Sequence, residues 1–534
     1  MGDLGEGAAA YVRGGFTLLV GNLVSYVILA VGSILVARML TPAEYGLYAV
    51  CMVLPQFFLL FSDWGVNSAL TRFLSRYRSE GRHSEIWGLN WVGLVFKLVV
   101  SGLLCLMLVF SADFLSVVVL KRPGIGDLIR IGSVFVIFNS LYATVVAILT
   151  GLERMDLVAV VHVSEALVKG IAAPALVYIG FGVLGSVIGY VSSYIVASIL
   201  GVLLVVFSSS GSKKKKNGVV KLSFGGLSLM LNYGKPLFVG GLIAGLAARL
   251  QGFLLSWFVS DVQYGNYHVA TNFSSLVSLL TGSIAVTLFP AFSKLSVFTE
   301  FEKTREAFMS SVRYSSIIVI PVVSLFVAVS EPMVSFLYTT RYPDAPFFMS
   351  LLLVPMLLVG FGSISIGNFL NSQGDTTTSF RVGLVSSAVS IALSPILVWV
   401  WGVFGLLLSI IASSFMGNIL GVYVLHRKYG FYANVRHATR LLICSSLSAG
   451  ISYGVLQFIR SPPILGLLVG SFVFLVLFSF LAPLFSALDE RDVSNLGSML
   501  GGIRVVSVFS KPLLDMERWI IRLLDSKRIR IFKD

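Results

Sequence analysis

Apolar residues in this chain run in long stretches divided by short clusters of charge. With a window of about 19 residues, about fourteen stretches emerge, at 16–38, 46–64, 88–110, 128–150, 157–179, 183–207, 236–259, 265–289, 313–330, 346–370, 380–401, 403–425, 439–459 and 464–488. Most are close to the ~20 residues a helix needs to cross about 30 Å of hydrocarbon. Barrel strands would be about half that length and would alternate in polarity. The stretch 46–64 is the weakest, because it is short, contains Pro55 and ends in Asp63. The pattern predicts an all-α polytopic membrane protein, since helices satisfy their own backbone groups where no water is present.

The pattern also repeats. Tyr45-Gly46-Leu47-Tyr48 returns as Tyr264-Gly265-Asn266-Tyr267, Gly182-Val183-Leu184-Gly185 as Gly402-Val403-Phe404-Gly405, and Ile199-Leu200-Gly201-Val202 unchanged at Ile419-Leu420-Gly421-Val422. The offset is about 220 residues each time, in the same order, as a duplicated unit requires. It spans six apolar stretches, an even number, so the copies share one orientation: a parallel repeat. The expected layout is an N-terminal six-helix lobe at 1–207, a linker at 208–235, a C-terminal six-helix lobe at 236–430, two additional helices at 431–488 and a tail at 489–534. Ser208 to Asn217 is rich in Ser, Gly and Lys, which suits a wet, flexible connection. The tail sets Ile503, Val506, Leu513, Leu514, Trp519, Ile520, Leu523 and Leu524 among basic residues. That spacing fits an amphipathic helix on a membrane surface, with solvated disorder as the alternative.

Composition agrees: of 534 residues 56% are hydrophobic and 12% charged, and mean hydropathy is +0.91, against about 25% charged in soluble domains. The net charge of +14 changes the picture only through its placement. With the N-terminus inside, the inner turns collect Arg72, Arg76, Arg78, Arg82, Lys213–Lys216, Lys221, Lys294, Lys303, Arg305, Arg427, Lys428, Arg436 and Arg440. The outer turns hold little beyond Arg38, Lys121, Arg122, Arg341 and Arg460. The positive-inside rule then puts both termini in the cytoplasm, and the basic loops point to anionic lipid headgroups rather than nucleic acid. Leu70 to Arg78 forms an amphipathic basic stretch suited to the inner surface, as an orientation signal or a gating element. No cleavable leader is expected, because the first apolar run is long enough to span. Cys51, Cys105 and Cys444 lie in separate apolar runs, and the five histidines make no ligand spacing, so neither a disulfide framework nor a metal or other cofactor is expected. No nucleophile elbow, Walker-type phosphate loop or acidic metal motif is present. An enzyme is therefore not expected.

What chemistry there is lies in polar groups inside apolar helices, which are costly and often functional. Arg249, with Gln251 beside it, falls in mid-helix, where it either lines a wet cavity or pairs with an acid. Glu165 and Lys169 stand four apart with His162 on the same face. They form either a self-neutralising pair or a site in which Glu165 carries a coupling cation and Lys169 holds a phosphate. Lys97 lines a cavity or snorkels to the interface. Asp63 caps the following basic helix or takes part in ion coupling or pairing. Asn139, Asn272 and Asn368 serve as helix–helix glue or as substrate ligands. Prolines at 55, 174, 236, 321, 355 and 395 are candidate kinks.

Several stretches are similar to a known family. They are Ala37-Arg-Met-Leu-Thr-Pro-Ala-Glu-Tyr-Gly-Leu-Tyr-Ala49, Asp63-Trp-Gly-Val-Asn-Ser-Ala-Leu-Thr-Arg72, Gly151-Leu-Glu-Arg-Met-Asp156, Tyr264-Gly-Asn-Tyr267, Leu288-Phe-Pro-Ala-Phe-Ser293 and Asn371-Ser-Gln-Gly-Asp-Thr376. Over about residues 15 to 430 the chain resembles the polysaccharide flippase branch of the multidrug/oligosaccharidyl-lipid/polysaccharide exporter superfamily. The resemblance implies two six-helix lobes of the multidrug-exporter type around a central cavity, working by alternating access on a polyprenol-linked saccharide. It implies a cationic cavity for the phosphate, to which Arg249, Lys169 and Lys97 would contribute. Relatives often place an acid before the arginine; here the preceding residue is Ala248. A monomer in the cytoplasmic membrane, meeting membrane lipids and glycan-assembly enzymes, completes the expectation. The rivals are a cation-coupled multidrug or metabolite antiporter on the same fold, a membrane-embedded glycosyltransferase, for which the outer loops are short, and a recruiting scaffold.

Overall fold

A computed structural model describes residues 2–210, 224–297, 299–432, 435–459, 462–501, 515–518 and 520–522. All regular structure among them is helical. Residues 211–223 of the expected linker, and most of the expected amphipathic tail, lie outside the described residues. Among the described residues ten helices are long and apolar enough to cross a membrane, or eleven if the pair bent by 56° at 345–361 and 363–372 crosses as one span. The chain is a multi-pass membrane protein.

Two compact units divide at Gly265 and Asn266. The first holds α1 (Gly2–Met39), α2 (Pro42–Cys51), α3 (Val53–Leu59), α4 (Val66–Ser79), α5 (His83–Phe114), α6 (Gly126–Gly151), α7 (Met155–Leu176), α8 (Gly182–Ser210) and α9 (Phe224–Phe258). It ends in the first turn of α10 (Asp261–Ser293). The second holds the rest of α10, then α11 (Phe301–Ala328), α12 (Ser330–Tyr338), α13 (Ala345–Leu353), α14 (Ser363–Ser372), α15 (Thr376–Tyr429), α16 (Val435–Phe458), α17 (Pro463–Leu484) and α18 (Glu490–Gly501).

The weak second stretch is two short helices, α2 and α3, which meet at Met52. A capping box starts α2: Thr41 Oγ accepts from the Glu44 N–H at 3.3 Å, and the Thr41 N–H donates to Glu44 Oε2 at 2.8 Å. Pro42 sits at the first helical turn, where its missing N–H costs nothing. Residues 224–235, expected in the linker, are the first turns of α9. Their apolar members Leu227, Met230, Leu231 and Tyr233 pack into the cluster built by α4, α5 and α6, so burial extends the helix past the charge-rich segment.

The repeated motifs have repeated geometry. Gly182 and Gly402 adopt φ/ψ of 51/−131° and 58/−131°, a region open in practice only to glycine. At each the chain turns back on itself. The Cβ of Ala173 on α7 lies against Gly189 on α8. In α15, Ser386 Oγ donates to the Ser413 carbonyl at 2.9 Å and Ser409 Oγ to Ser394 Oγ at 3.2 Å. Each of the two 54-residue apolar runs, Met155–Ser208 and Thr376–Tyr429, is therefore a hairpin of two antiparallel arms. The other repeated pair meets itself: a Cβ on Gly46 would overlap the Asp261 carbonyl, and one on Gly265 the Pro42 carbonyl. Only glycine lets these two helix starts approach so closely. In the second unit Phe292, Phe308, Phe369, Phe431 and Tyr429 form the aromatic core of α10, α11, α14 and α15.

Candidate functional site

Most of the sequence-derived site residues fall in the first unit, in three separate surroundings. Arg249 stands near the middle of the apolar part of α9, which runs from Phe238 to Phe258. It is half-buried, and its Nη1 donates to Gln56 Oε1 on α3. No carboxylate lies within ion-pair distance of it among the described residues. Phe57 and Phe253 meet edge to face at 4.8 Å and hold α3 against α9 beside this bond. The guanidinium thus faces a neutral partner, at a depth where water is scarce and an arginine needs an anion or a wet space. Gln251, half-buried, follows on the same helix.

Lys97, expected as a cavity cation, is instead sealed in. Its side chain is 1% exposed, and its ammonium donates to Asp63 Oδ1 at 3.0 Å. Asp63 has both roles the sequence left open, since Oδ1 also accepts the Asn67 N–H at 3.3 Å in the first turn of α4. The turn Asp63-Trp64-Gly65 brings the carboxylate there through two successive positive φ angles, 51° and 74°. A buried ammonium with a carboxylate partner is neutral as a pair and holds α4 to α5.

The third surrounding lies between α6, α7 and α8. Glu165 is buried on α7. Lys169, one turn on, does not reach it as an ion pair; its ammonium sits over the Tyr190 ring at 4.2 Å, a cation–π contact. His162 Nδ1 and Asn22 Oδ1 of α1 are 2.7 Å apart, with the imidazole stacked on Tyr142 at 5.9 Å. Tyr142, Tyr190 and Tyr194 pack ring against ring, joined by Phe135 and Tyr48. The result is a buried carboxyl among phenols, with its lysine drawn onto the Tyr190 ring and not into an ion pair. Asn139 is half-buried on α6. In the second unit Asn368 donates to the Ile364 carbonyl at 2.9 Å and Asn272 to Tyr338 Oη at 3.5 Å, local and interhelical bonds of the glue type.

Sequence reasoning passed over Gln56, although an amide within an apolar stretch was the available signal, and over Tyr190 and Tyr194, which share one face of α8 at i, i+4. It also counted Arg122 only as an outer-turn charge. Arg122 is mostly buried and donates to Asp261 Oδ1 at 2.5 Å and to the Val259 and Leu120 carbonyls at 2.9 Å. It thereby fixes the turn from α9 into α10. Among the described residues no three His, Cys, Asp or Glu side chains converge as metal ligands.

The family described as "Polysaccharide biosynthesis protein" matches residues 35–346. The probable low-salt glycan biosynthesis flippase Agl15 of Haloferax volcanii is 19% identical over 489 residues, covering 91% of this chain and 98% of that protein. The probable flippase AglR of the same organism is 25% identical over 294 residues, 55% of this chain and 59% of its own length. Among solved structures, lipid II flippase MurJ in an inward closed conformation superposes with a TM-score of 0.66 at 16% identity, covering 87% of this chain and 98% of that one. An inward-facing multidrug resistance transporter of the MATE family gives 0.58 at 15% identity over 82% and 96% of the two chains. At these identities the structures establish a shared helical fold.

Proposed function

The chain belongs to the polysaccharide biosynthesis protein family, and from that premise we propose that it is a flippase. Its cargo is a polyprenyl-phosphate-linked oligosaccharide or polysaccharide repeat unit, carried across the cytoplasmic membrane by alternating access. The names of the two Haloferax relatives support the reading. The observation that carries it is Arg249, a cation deep in a membrane helix whose partner is a neutral amide. A phosphate entering that position gains a charge-assisted, bidentate hydrogen bond without displacing a carboxylate. The saccharide is too polar to cross about 30 Å of hydrocarbon unaided, so a protein route with a fixed cation supplies what the bilayer lacks. Both termini face the cytoplasm, the protein acts as a monomer beside glycan-assembly enzymes, and no bond in the cargo is made or broken.

Glu165 supports a coupling role within this reading. Buried among tyrosines and outside any ion pair of the described residues, this carboxyl is placed to carry a coupling cation. The same feature, together with the likeness to a multidrug transporter fold, favours a cation-coupled antiporter as the second reading. Proteoliposomes separate the two. The flippase reading expects purified protein to expose a fluorescent lipid-linked oligosaccharide to quencher faster than empty vesicles do. It fails if that rate is unchanged while a cation gradient drives the export of soluble amphiphilic cations.

A further inference from the structure

A recess of about 590 Å³ opens beside Arg249, within the first unit. Leu54, Phe57 and Phe58 of α3 form one wall, and Leu246, Leu250, Phe253, Leu254 and Trp257 of α9 another. Leu115 and Val119, in the π-helical turn after α5, complete it. Its volume is that of a small-ligand site, about 300–1,000 Å³, but every lining side chain is apolar apart from the Trp257 indole N–H. That N–H is spent on the Val119 carbonyl, and the Lys121 ammonium covers the same ring at 4.7 Å. From Leu246 to Trp257 the recess runs about 16 Å along α9, at 1.5 Å per residue. Arg249 flanks it, one turn before Phe253, and Gln56 adjoins Phe57.

We propose that this recess holds the polyprenyl chain of the cargo while Arg249 holds its phosphate; the inference rests on the flippase reading and adds a tail subsite to it. Apolar lining alone selects nothing in a bilayer, where a hydrocarbon chain is equally at home in lipid. Selection comes from the charge beside it and from depth. Arg249 lies about nine residues, or about 14 Å, before the end of α9 at Phe258, close to the half-thickness of a hydrocarbon core of about 30 Å. A resident phospholipid keeps its phosphate at the interface and cannot reach this guanidinium without leaving its leaflet. A phosphate in transit passes that depth, and its chain then lies along α9 with four aromatic rings against its double bonds. Phosphate on Arg249 and chain in the recess together hold an amphiphile that neither feature would retain alone.

The test uses the full-length protein in vesicles and a polyprenyl phosphate carrying a diazirine near the far end of its chain. After irradiation, label is expected on the peptides containing Phe57 and Phe253 to Trp257. Unlabelled polyprenyl phosphate should compete, and equal amounts of phosphatidylglycerol or uncharged polyprenol should not. Leu254→Trp, which fills the recess, and Arg249→Gln, which removes the charge, should each lower labelling about tenfold, with thermal midpoints confirming that both variants are folded. Label scattered over other helices, or competed equally by phosphatidylglycerol or polyprenol, overturns the assignment and needs no variant. Transport of lipid-linked oligosaccharide by the same vesicles is read in parallel. Label in the recess without transport sinks the flippase reading and keeps the subsite. Transport without label in the recess sinks the subsite and keeps the flippase.

Discussion

Arg249 and Arg313 are both arginines within membrane-crossing helices, one in each unit, and their surroundings are opposite. Arg249 meets one neutral amide, Gln56. Arg313, on α11, is gripped by two carboxylates. Its Nε donates to Asp492 Oδ1 at 2.7 Å, and its Nη2 to Asp492 Oδ2 at 2.6 Å and to Asp489 Oδ2 at 2.8 Å. Those aspartates open α18 and cap each other, with Asp489 N–H to Asp492 Oδ2 at 3.1 Å and Asp492 N–H to Asp489 Oδ1 at 2.8 Å. Arg313 is thus a structural anchor that ties α18 to α11, its charge already answered from within the chain. No carboxylate among the described residues answers the charge of Arg249. Partner type, more than residue type or depth, separates a fastening from a binding site.

The comparison breaks most severely at Lys97, a fully buried cation in the first unit that does have a carboxylate. Replacing Asp63 by alanine leaves an ammonium that is 1% exposed with no counter-charge, which costs about 3 kcal/mol. Denaturation in detergent is expected to register that loss, and the double variant Asp63→Ala/Lys97→Met should recover most of it. If Asp63→Ala is as stable as the parent, the pair is not the fastening described here.

Arg249→Ala should show the reverse profile. Stability is expected to change by less than about 1 kcal/mol, because the partner left behind is a neutral, half-buried amide and not an unpaired charge. Transport of lipid-linked oligosaccharide is expected to fall about a hundredfold, the scale of one charge-assisted bidentate contact, roughly 2.7 kcal/mol. A large drop in melting temperature with unchanged transport per folded molecule would invert the contrast. For Arg313 the contrast is sharpened by Asp492→Asn, which weakens the grip without removing the side chain. Arg313 is 37% exposed, so water screens part of the loss, and about 1–2 kcal/mol of stability is expected with transport per folded molecule intact.

Much of this was legible in the sequence, for physical reasons. Hydrocarbon-length apolar runs announce helices because the bilayer allows little else. The Gly182 and Gly402 motifs announced a duplicated backbone event because only glycine tolerates the torsions found there. Arg249 stood out because an arginine in mid-span is expensive. What was not legible depends on partners brought from far along the chain. Lys97 read as a cavity cation because Asp63, 34 residues away, sits beyond any local spacing rule. The i, i+4 spacing of Glu165 and Lys169 left a self-neutralising pair and a cation-and-phosphate site both open, and it does not display the Tyr190 ring of another helix on which the lysine sits. The start of α9 was misplaced because the flanking lysines dominate composition there, while Leu227 and Leu231 find an apolar cluster that the linear pattern does not display.

Outside the membrane the same contrast shrinks to its smallest form. Asp375, between α14 and α15, accepts from Lys428 Nζ at 2.6 Å and from Tyr429 Oη at 3.0 Å. Burial alone would raise its carboxyl, but the hydrogen bonds from Lys428, Thr378 and Tyr429 and the lysine charge outweigh it and hold the group below its ordinary range. A carboxyl held below its unfolded value, about 3.9, contributes stability that is complete above that value and disappears as pH falls through the folded value. Melting curves of the parent protein should therefore lose a little stability below about pH 4, and Asp375→Asn should flatten that part of the profile. The effect should stay under about 1 kcal/mol, since Lys428 is half exposed and surface pairs contribute little. It should also shrink in high salt, and by more than the Asp492–Arg313 contribution does, because Asp492 is 2% exposed and Arg313 only partly so. If high salt erased both equally, the Arg313 cluster would be a surface ion pair of the Asp375 kind, and the distinction between answered and unanswered charge would no longer single out Arg249.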